Sequence, residues 1–340
     1  MEMESSSSSS SDKEKQPQIA LMSRDVSRRI STAQVIISLP SAVRQLIDNS
    51  LDANATSIEV RTNNYGAGSL EVVDDGTGII EESFSSLCQP HSTSKMSQYD
   101  DLLSLNTLGF RGEALNALCV LGRVTITTRS DETATAFRLK FDNRGNITQK
   151  DVVPRQRGTT VLVESLFHEI PVRRRELERT AKRDFTRLLA VVQEFALSRP
   201  EIRFNVYSML NGKRHHALCS PGGVISLKDT ITSLFGGRSE KSEVIEIVKG
   251  PVDEESRAFY SISEEDSDLD KIGISGFVSS CDTGQGRGTG DRQFIYINQR
   301  PVDYPKVCRI ANELYQQYNR YQYPTLVLQI NIPPGFLFLG

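Results

Sequence analysis

No apolar run in the 340-residue chain approaches the length a bilayer-spanning helix needs, so no such helix is expected. Nor is there a Gly-x-x-x-x-Gly-Lys-Ser/Thr string, which excludes a P-loop nucleotide site. The five cysteines contain no Cys-x-x-Cys pair, and their odd number argues against a disulfide framework, so reduced thiols are expected. Of the four histidines, His215 and His216 are adjacent and would face opposite sides of a strand. A surface loop is the simpler expectation for that pair, and His91 and His168 have no partner at ligand spacing. Residues 1–11 are acidic and serine-rich rather than basic and then apolar, unlike a secretory signal, which leaves a cytosolic or nuclear location. A net charge of -3 gives no global reason to bind nucleic acid, although an average can conceal a local patch.

What is present fits a soluble protein of two domains: 340 residues, 38% hydrophobic and 24% charged. Residues 1–18 read as a flexible arm, 19–200 as the first domain and 201–340 as the second, with Arg199-Pro200 ending a helix at the boundary. In the first domain, helical spacing predicts a helix over about 40–53 that buries Val43, Leu46, Ile47 and Leu51. A hairpin follows (57–61 and 69–73), then a short helix over 81–87 and a polar stretch over 88–107 of a length more often functional than not. A helix over 112–121, strands over 123–129, 135–141 and 159–164, and a helix over 173–198 complete it. The second domain reads as strands over 202–208, 243–248, 272–279, 293–298 and 325–331 with helices over 226–235 and 304–319. An acidic stretch (253–270) and a Gly-rich one (283–291) are expected to be mobile loops.

Three strings carry chemistry. Gln45 and Asn49 are four apart and share a helix face with Asp52, so they can point into one pocket; an Asn amide oxygen is a suitable hard ligand for Mg2+. A solvated polar face is the plainer alternative. The turn Asp74-Asp75-Gly76-Thr77-Gly78 follows a strand, and a buried Asp74 could accept a hydrogen bond from an exocyclic amine such as that of adenine, with Gly76 and Gly78 letting a flat ring approach the backbone. By itself such a string also marks an ordinary turn. Gly109-Phe110-Arg111-Gly112 opens a helix, whose free N–H groups favour phosphate, and Thr93-Ser94-Lys95 adds hydroxyls and a cation upstream.

In order and spacing these pieces resemble the GHKL superfamily of ATPases, and within it the MutL family of mismatch-repair proteins. The resemblance rests on Asn49-Ser50-Leu51-Asp52-Ala53, Thr93-Ser94-Lys95, Gly109 to Leu115, Arg157-Gly158-Thr159, Leu166-Phe167 and Pro171-Val172-Arg173. Asp291 to Phe294, Ile297 to Pro301 and Tyr318 to Pro324 are similar to the eukaryotic postmeiotic-segregation (PMS) branch. The resemblance implies an α/β fold: a Bergerat-type GHKL sandwich followed by a smaller ribosomal-protein-S5-like domain. It implies ATP and Mg2+ as ligands, with Asn49 on Mg2+, Asp74 on the adenine amine, Gly78 lining the adenine slot, Thr159 near the base, and Lys95 with Gly109 to Gly112 on the phosphates. It further implies an ATP-gated clamp on double-stranded DNA, built as a heterodimer with a second MutL homologue, working with mismatch-recognition proteins in the nucleus.

Two departures stand out. Where the family carries the Glu that activates the attacking water, this chain has Gln45, a neutral amide with no useful basicity. Its ending, Asn331 to Gly340, lacks the lysine of the family's Asn-Val-x-Pro-x-Lys segment and reads as a truncated or alternatively terminated product. ATP binding with very slow turnover is therefore expected, or an adaptor that binds without hydrolysing. Arg173, Arg174, Arg175, Lys182 and Arg183 form a basic run suited to DNA phosphates, unless neighbouring acids pair with it along a solvated helix.

Overall fold

The computed structural model describes residues 34–90, 92, 113–223, 226–235, 243–259, 261, 271–282 and 284–333. The expected arm, the strings Thr93-Ser94-Lys95 and Gly109 to Gly112, and residues 334–340 lie outside the described residues.

Helix α1 (Leu39–Asp52) starts where Ser38 and Ser41 cap each other's backbone N–H groups and Pro40 occupies the first turn. Its apolar stripe, Leu39, Ala42, Val43, Leu46 and Ile47, is buried, whereas Leu51 is only partly so. The stripe packs with α2 (Ala114–Leu121) and α3 (Pro171–Ser198) against one face of a large sheet.

That sheet has eight strands in the order β5-β4-β3-β6-β2-β1-β7-β8. They are β1 (Ser57–Asn63), β2 (Ser69–Asp74), β3 (Arg123–Arg129), β4 (Ala136–Phe141), β5 (Ile147–Val153), β6 (Gly158–Glu164), β7 (Arg203–Leu210) and β8 (Lys213–Ser220). Alternation along β1 to β4 and β6 sends Ile58, Val60, Leu70, Val72, Val124, Ile126 and Val163 to the helix side. All neighbours are antiparallel except β1 and β7, which run parallel with Ile58 opposite Phe204. The sheet therefore crosses the boundary expected at residue 200: Pro200 does end α3, but the chain returns at once beside β1. β5 was not expected, and β8 holds His215 and His216 in a strand rather than a loop, with the His216 ring stacked 4.8 Å from Tyr207. The helix expected over 81–87 is a single 3-10 turn, Glu81–Ser83.

A second sheet, β12-β11-β13-β10-β9, follows. It comprises β9 (Val244–Val248), β10 (Gly273–Ser279), β11 (Gln293–Ile297), β12 (Arg300–Val302) and β13 (Leu326–Asn331), with helices α4 (Leu227–Phe235), α5 (Glu254–Phe259) and α6 (Pro305–Tyr318). α5 lies inside the acidic stretch expected to be a loop. Residues 284–291 are pinned rather than loose: Arg287 and Tyr323 exchange backbone hydrogen bonds (2.8 and 2.7 Å), and the Arg287 guanidinium grips Asp291 through two bonds of 2.9 Å. The second core gathers Ile231, Phe294, Tyr296 and Val327 around Leu197, which belongs to α3. α3 thus serves both cores, and the buried Tyr296 hydroxyl donates to its Glu194 carbonyl at 2.8 Å.

Candidate functional site

β2 ends at Asp74, whose carboxylate is 8% exposed at the edge of the helix-covered face. Oδ1 accepts the backbone N–H groups of Gly76 and Thr159, both at 3.0 Å, and Oδ2 accepts the Ser50 hydroxyl at 3.0 Å. Burial pushes the Asp74 carboxyl above the usual carboxylate range, against the pull of the bonds from Gly76, Thr159 and Ser50 and of the nearby Arg155 charge. A carboxylate offers about four acceptor positions. Three are engaged among the described residues, so one on Oδ2 suits an exocyclic amine.

The neighbouring Asp75 does a different job. Its carboxylate accepts Thr56 N–H (2.7 Å), the Thr56 hydroxyl (2.6 Å) and Ser57 N–H (2.9 Å), tying the turn to the start of β1. Burial raises its pKa, but these bonds outweigh that and hold the group below its ordinary value.

Packing within the chain already demands glycine in this turn. Gly78 has φ +73°, and a Cβ there would lie 2.0 Å from the Arg129 carbonyl oxygen at the end of β3. What the missing Cβ at Gly78 makes room for in this structure is protein backbone. The same holds for Gly158, at φ +119°, where a Cβ would sit 2.1 Å from the Asp74 carbonyl oxygen. This close approach is what lets Thr159 N–H reach Asp74. Behind it, the fully buried Thr128 hydroxyl lies 3.2 Å from the Thr159 hydroxyl and accepts Ile79 N–H at 3.0 Å, stitching the turn to β3 and β6.

α1 passes alongside and carries the other predicted residues. Gln45, Asn49 and Asp52 are half-buried on it, and Asp48 is buried. Ser50 connects this helix to Asp74 directly. Asp74, Gly76, Gly78 and Thr159 are therefore brought together at the end of β2, with the helix that carries Asn49 and Asp52 tied to it through Ser50, while Thr93, Ser94, Lys95 and Gly109 to Gly112 are outside the described residues. No group of three or more His, Cys, Asp or Glu suited to a metal occurs among the described residues. A Mg2+ here would need Asn49 together with oxygens of a bound phosphate and water, the habit of that ion.

Sequence reasoning gave no site role to Ser50, Thr128, Arg155 or Gly158, although Ser50 and Gly158 lie within the strings Asn49-Ser50-Leu51-Asp52-Ala53 and Arg157-Gly158-Thr159 that carry the resemblance.

The basic run divides in two. Arg173 donates to the Ile36 carbonyl at 2.7 Å and lies 3.9 Å over the Phe167 ring; Arg174 donates to the Ala67 (2.8 Å) and Leu166 (3.3 Å) carbonyls and to Glu178 (2.7 Å). Both guanidiniums are anchored to the fold. Arg175, Lys182 and Arg183 are exposed. Lys182 and Arg183 line a cavity of about 460 Å3 with Asn64, Tyr65 and Glu178. A second cavity, of about 280 Å3, lies among Gln193, His216, Cys219 and Leu234. Asp74 lines neither of them.

Residues 37–167 match the family described as histidine kinase-, DNA gyrase B- and HSP90-like ATPase, and residues 252–337 match the DNA mismatch repair protein C-terminal domain. The chain is 42% identical over 313 residues to the mismatch repair endonuclease PMS2 of Gallus gallus, covering 92% of this chain and 36% of that protein. It thus spans about a third of the length of the curated relatives it matches. Among solved structures, the N-terminal domain of a DNA repair protein is 35% identical with a TM-score of 0.76, covering 90% of this chain and 86% of that one. The Aquifex aeolicus MutL ATPase domain complexed with ADP shares the fold at 22% identity, with a TM-score of 0.57 and coverage of 90% and 96%.

Proposed function

The chain belongs to the MutL family of DNA mismatch-repair proteins, in its PMS branch, and we propose that the site around Asp74 binds ATP with Mg2+ and turns it over very slowly. The observation that carries this reading is the buried Asp74 carboxylate. Its Oδ1 is filled by Gly76 and Thr159, its Oδ2 keeps one acceptor position, and the Ser50 bond sets it one residue from Asn49. The adenine amine donates to Asp74, and Asn49 holds Mg2+, which when bound neutralises phosphate charge. Thr93, Ser94, Lys95 and Gly109 to Gly112 are the residues assigned to the phosphates, on the family resemblance.

Slow turnover follows from Gln45. It occupies the family's general-base position one helical turn before Asn49, and an amide cannot take the proton of an attacking water. Loss of such a base removes roughly 10²- to 10⁴-fold in rate. Steady-state phosphate release is measured on this chain and on Gln45→Glu. Release rising by at least an order of magnitude in the variant is expected; equal, family-like turnover in both would refute the slow-hydrolysis reading.

In the cell, the reading is an ATP-gated clamp on double-stranded DNA, formed in the nucleus with a second MutL homologue and mismatch-recognition proteins. Gln45 also favours a second reading, an adaptor that binds ATP and occupies a partner without hydrolysis. The same release assay separates the two. For DNA, the exposed Arg175, Lys182 and Arg183 supply sequence-independent phosphate contacts.

A further inference from the structure

We propose that Ser50 and Arg155 set the base selectivity of this site, by holding Asp74 as an acceptor-only carboxylate that takes 6-aminopurine nucleotides and rejects 6-oxopurine ones. The inference rests on the nucleotide reading above.

An ionised carboxylate only accepts hydrogen bonds, so it pairs with the 6-amino group of adenine and repels the 6-oxo group of hypoxanthine or guanine. A protonated carboxyl can donate, and it would give its hydrogen bond to the 6-oxo oxygen instead. Selectivity at the base therefore depends on what keeps a buried Asp74 charged.

Two side chains supply that beyond the backbone N–H groups. Ser50 is 3% exposed, and its single proton can go to Asp74 Oδ2 at 3.0 Å or to the Leu46 carbonyl at 3.1 Å. An ionised Asp74 draws the proton to itself, and a protonated one turns it toward Leu46. The hydroxyl therefore stabilises the charged form preferentially. Arg155 is half-buried and donates to the Asp74 carbonyl oxygen at 3.2 Å, and its own carbonyl accepts from Arg129 at 3.3 Å, which fixes its backbone.

The other charges nearby are already engaged. On β1 and β2, Arg61 bonds Glu59 (2.6 Å) and Glu71 (3.1 Å). The Asp75 carboxylate is taken by Thr56 and Ser57, and Arg157 bonds Asp131 (3.0 Å) and the Asp75 carbonyl (3.3 Å). Asp48 and Asp52 on α1 each have an interaction of their own. Among the described residues Arg155 is the cation that acts on Asp74, and burial, the largest influence on the carboxyl, works against both helpers. These are positioning residues: they act on the base through Asp74.

The test measures dissociation constants of ATP and inosine triphosphate between pH 5 and 8 for the full chain, Ser50→Ala, Arg155→Gln and Arg155→Lys, each first checked for folding by circular dichroism. In Ser50→Ala and Arg155→Gln the preference for ATP over inosine triphosphate falls by about tenfold, and ATP affinity is lost at higher pH than in the unsubstituted chain. Arg155→Lys, keeping the charge, restores both. If Ser50→Ala does not fold, Arg155→Gln carries the test alone. Unchanged preference and unchanged pH profile in folded variants that still bind ATP overturn the inference and leave the nucleotide reading standing. Absence of ATP binding by the unsubstituted chain overturns both.

Discussion

Asp74→Asn separates what Asp74 does for the fold from what it does for a ligand, because it changes one heavy atom and keeps the shape. Oδ1 still accepts Gly76 and Thr159 N–H at 3.0 Å. Nδ2 takes the place of Oδ2 opposite Ser50, whose hydroxyl can accept from the amide and give its proton to the Leu46 carbonyl 3.1 Å away. Oδ1 and the Ser50 hydroxyl keep their partners and one amide N–H is left facing the ligand position, so no large loss of stability is expected. The pH dependence has a definite sign. The folded pKa of Asp74 is raised above the ordinary 3.8, so between those two values the folded state holds more protons than the unfolded one. Its contribution to stability is most favourable below 3.8 and declines as pH rises through the folded pKa; above that, the cost of burying the charge is fully present. The amide does not titrate, so at pH 7 the variant is expected to unfold at the same or a higher temperature than the unsubstituted chain, with the difference shrinking toward pH 4. Binding moves the other way. The amide presents a donor to the donor at adenine, and a hydrogen bond to a charged partner, worth about 1.5–3 kcal/mol, is lost. That weakens ATP roughly 10- to 150-fold. Calorimetric titration with ATP and thermal unfolding across pH 4 to 8 read both effects on one sample. Unimpaired ATP binding by a folded variant would refute the assignment of Asp74 to the base.

The remaining predictions concern backbone and charge. Gly78→Ala combines a φ of +73° with a Cβ 2.0 Å from the Arg129 carbonyl oxygen, and is expected to cost about 3 kcal/mol or more. Gly212→Ala, at φ +74° with nothing within 4 Å, isolates the strain and should cost about 1 kcal/mol by denaturant titration. Equal costs would show that the contact with β3 is immaterial. Arg174→Ala, which gives up three acceptors, should lower stability by about 2 kcal/mol without altering the salt dependence of DNA binding. Lys182→Ala and Arg183→Ala should each reduce the slope of log affinity against log salt by about 1 with stability unchanged. A flat response in anisotropy titrations of both variants would remove DNA from that face.

The pattern of expected and unexpected elements has physical causes. β1, β2, β3 and β6 were legible because one face of each is buried and their residues alternate accordingly. β5 and β8 are the two edges of the large sheet, exposed along most of their length, and Thr148 to Val152 or Lys213 to His216 carry no alternation to read. The boundary expected at 200 rested on a proline, which reports only where a helix stops. That the next strand pairs with β1, some 140 residues earlier, is a long-range fact with no local signature.

At the site, residue types were legible and their partners were not. Asp74, Gly76 and Gly78 announce a special turn, but whether a glycine clears a ligand or a neighbouring carbonyl depends on a strand end, Arg129, more than fifty residues away. Arg173 and Arg174 read as free cations because composition cannot say where a guanidinium points; here both point at backbone carbonyls. Gln45 is the opposite case. Its helix folds with either an amide or a carboxylate at that position, since the side chain is half-buried and outside the buried stripe of α1. The fold is therefore indifferent to the one atom on which hydrolysis turns, and sequence alone carries that information. The Asp74 carboxylate, held by Gly76, Thr159 and Ser50, would serve a slow enzyme and a binding module alike. Gln45 fits both, so phosphate release by this chain beside Gln45→Glu is the measurement that separates them.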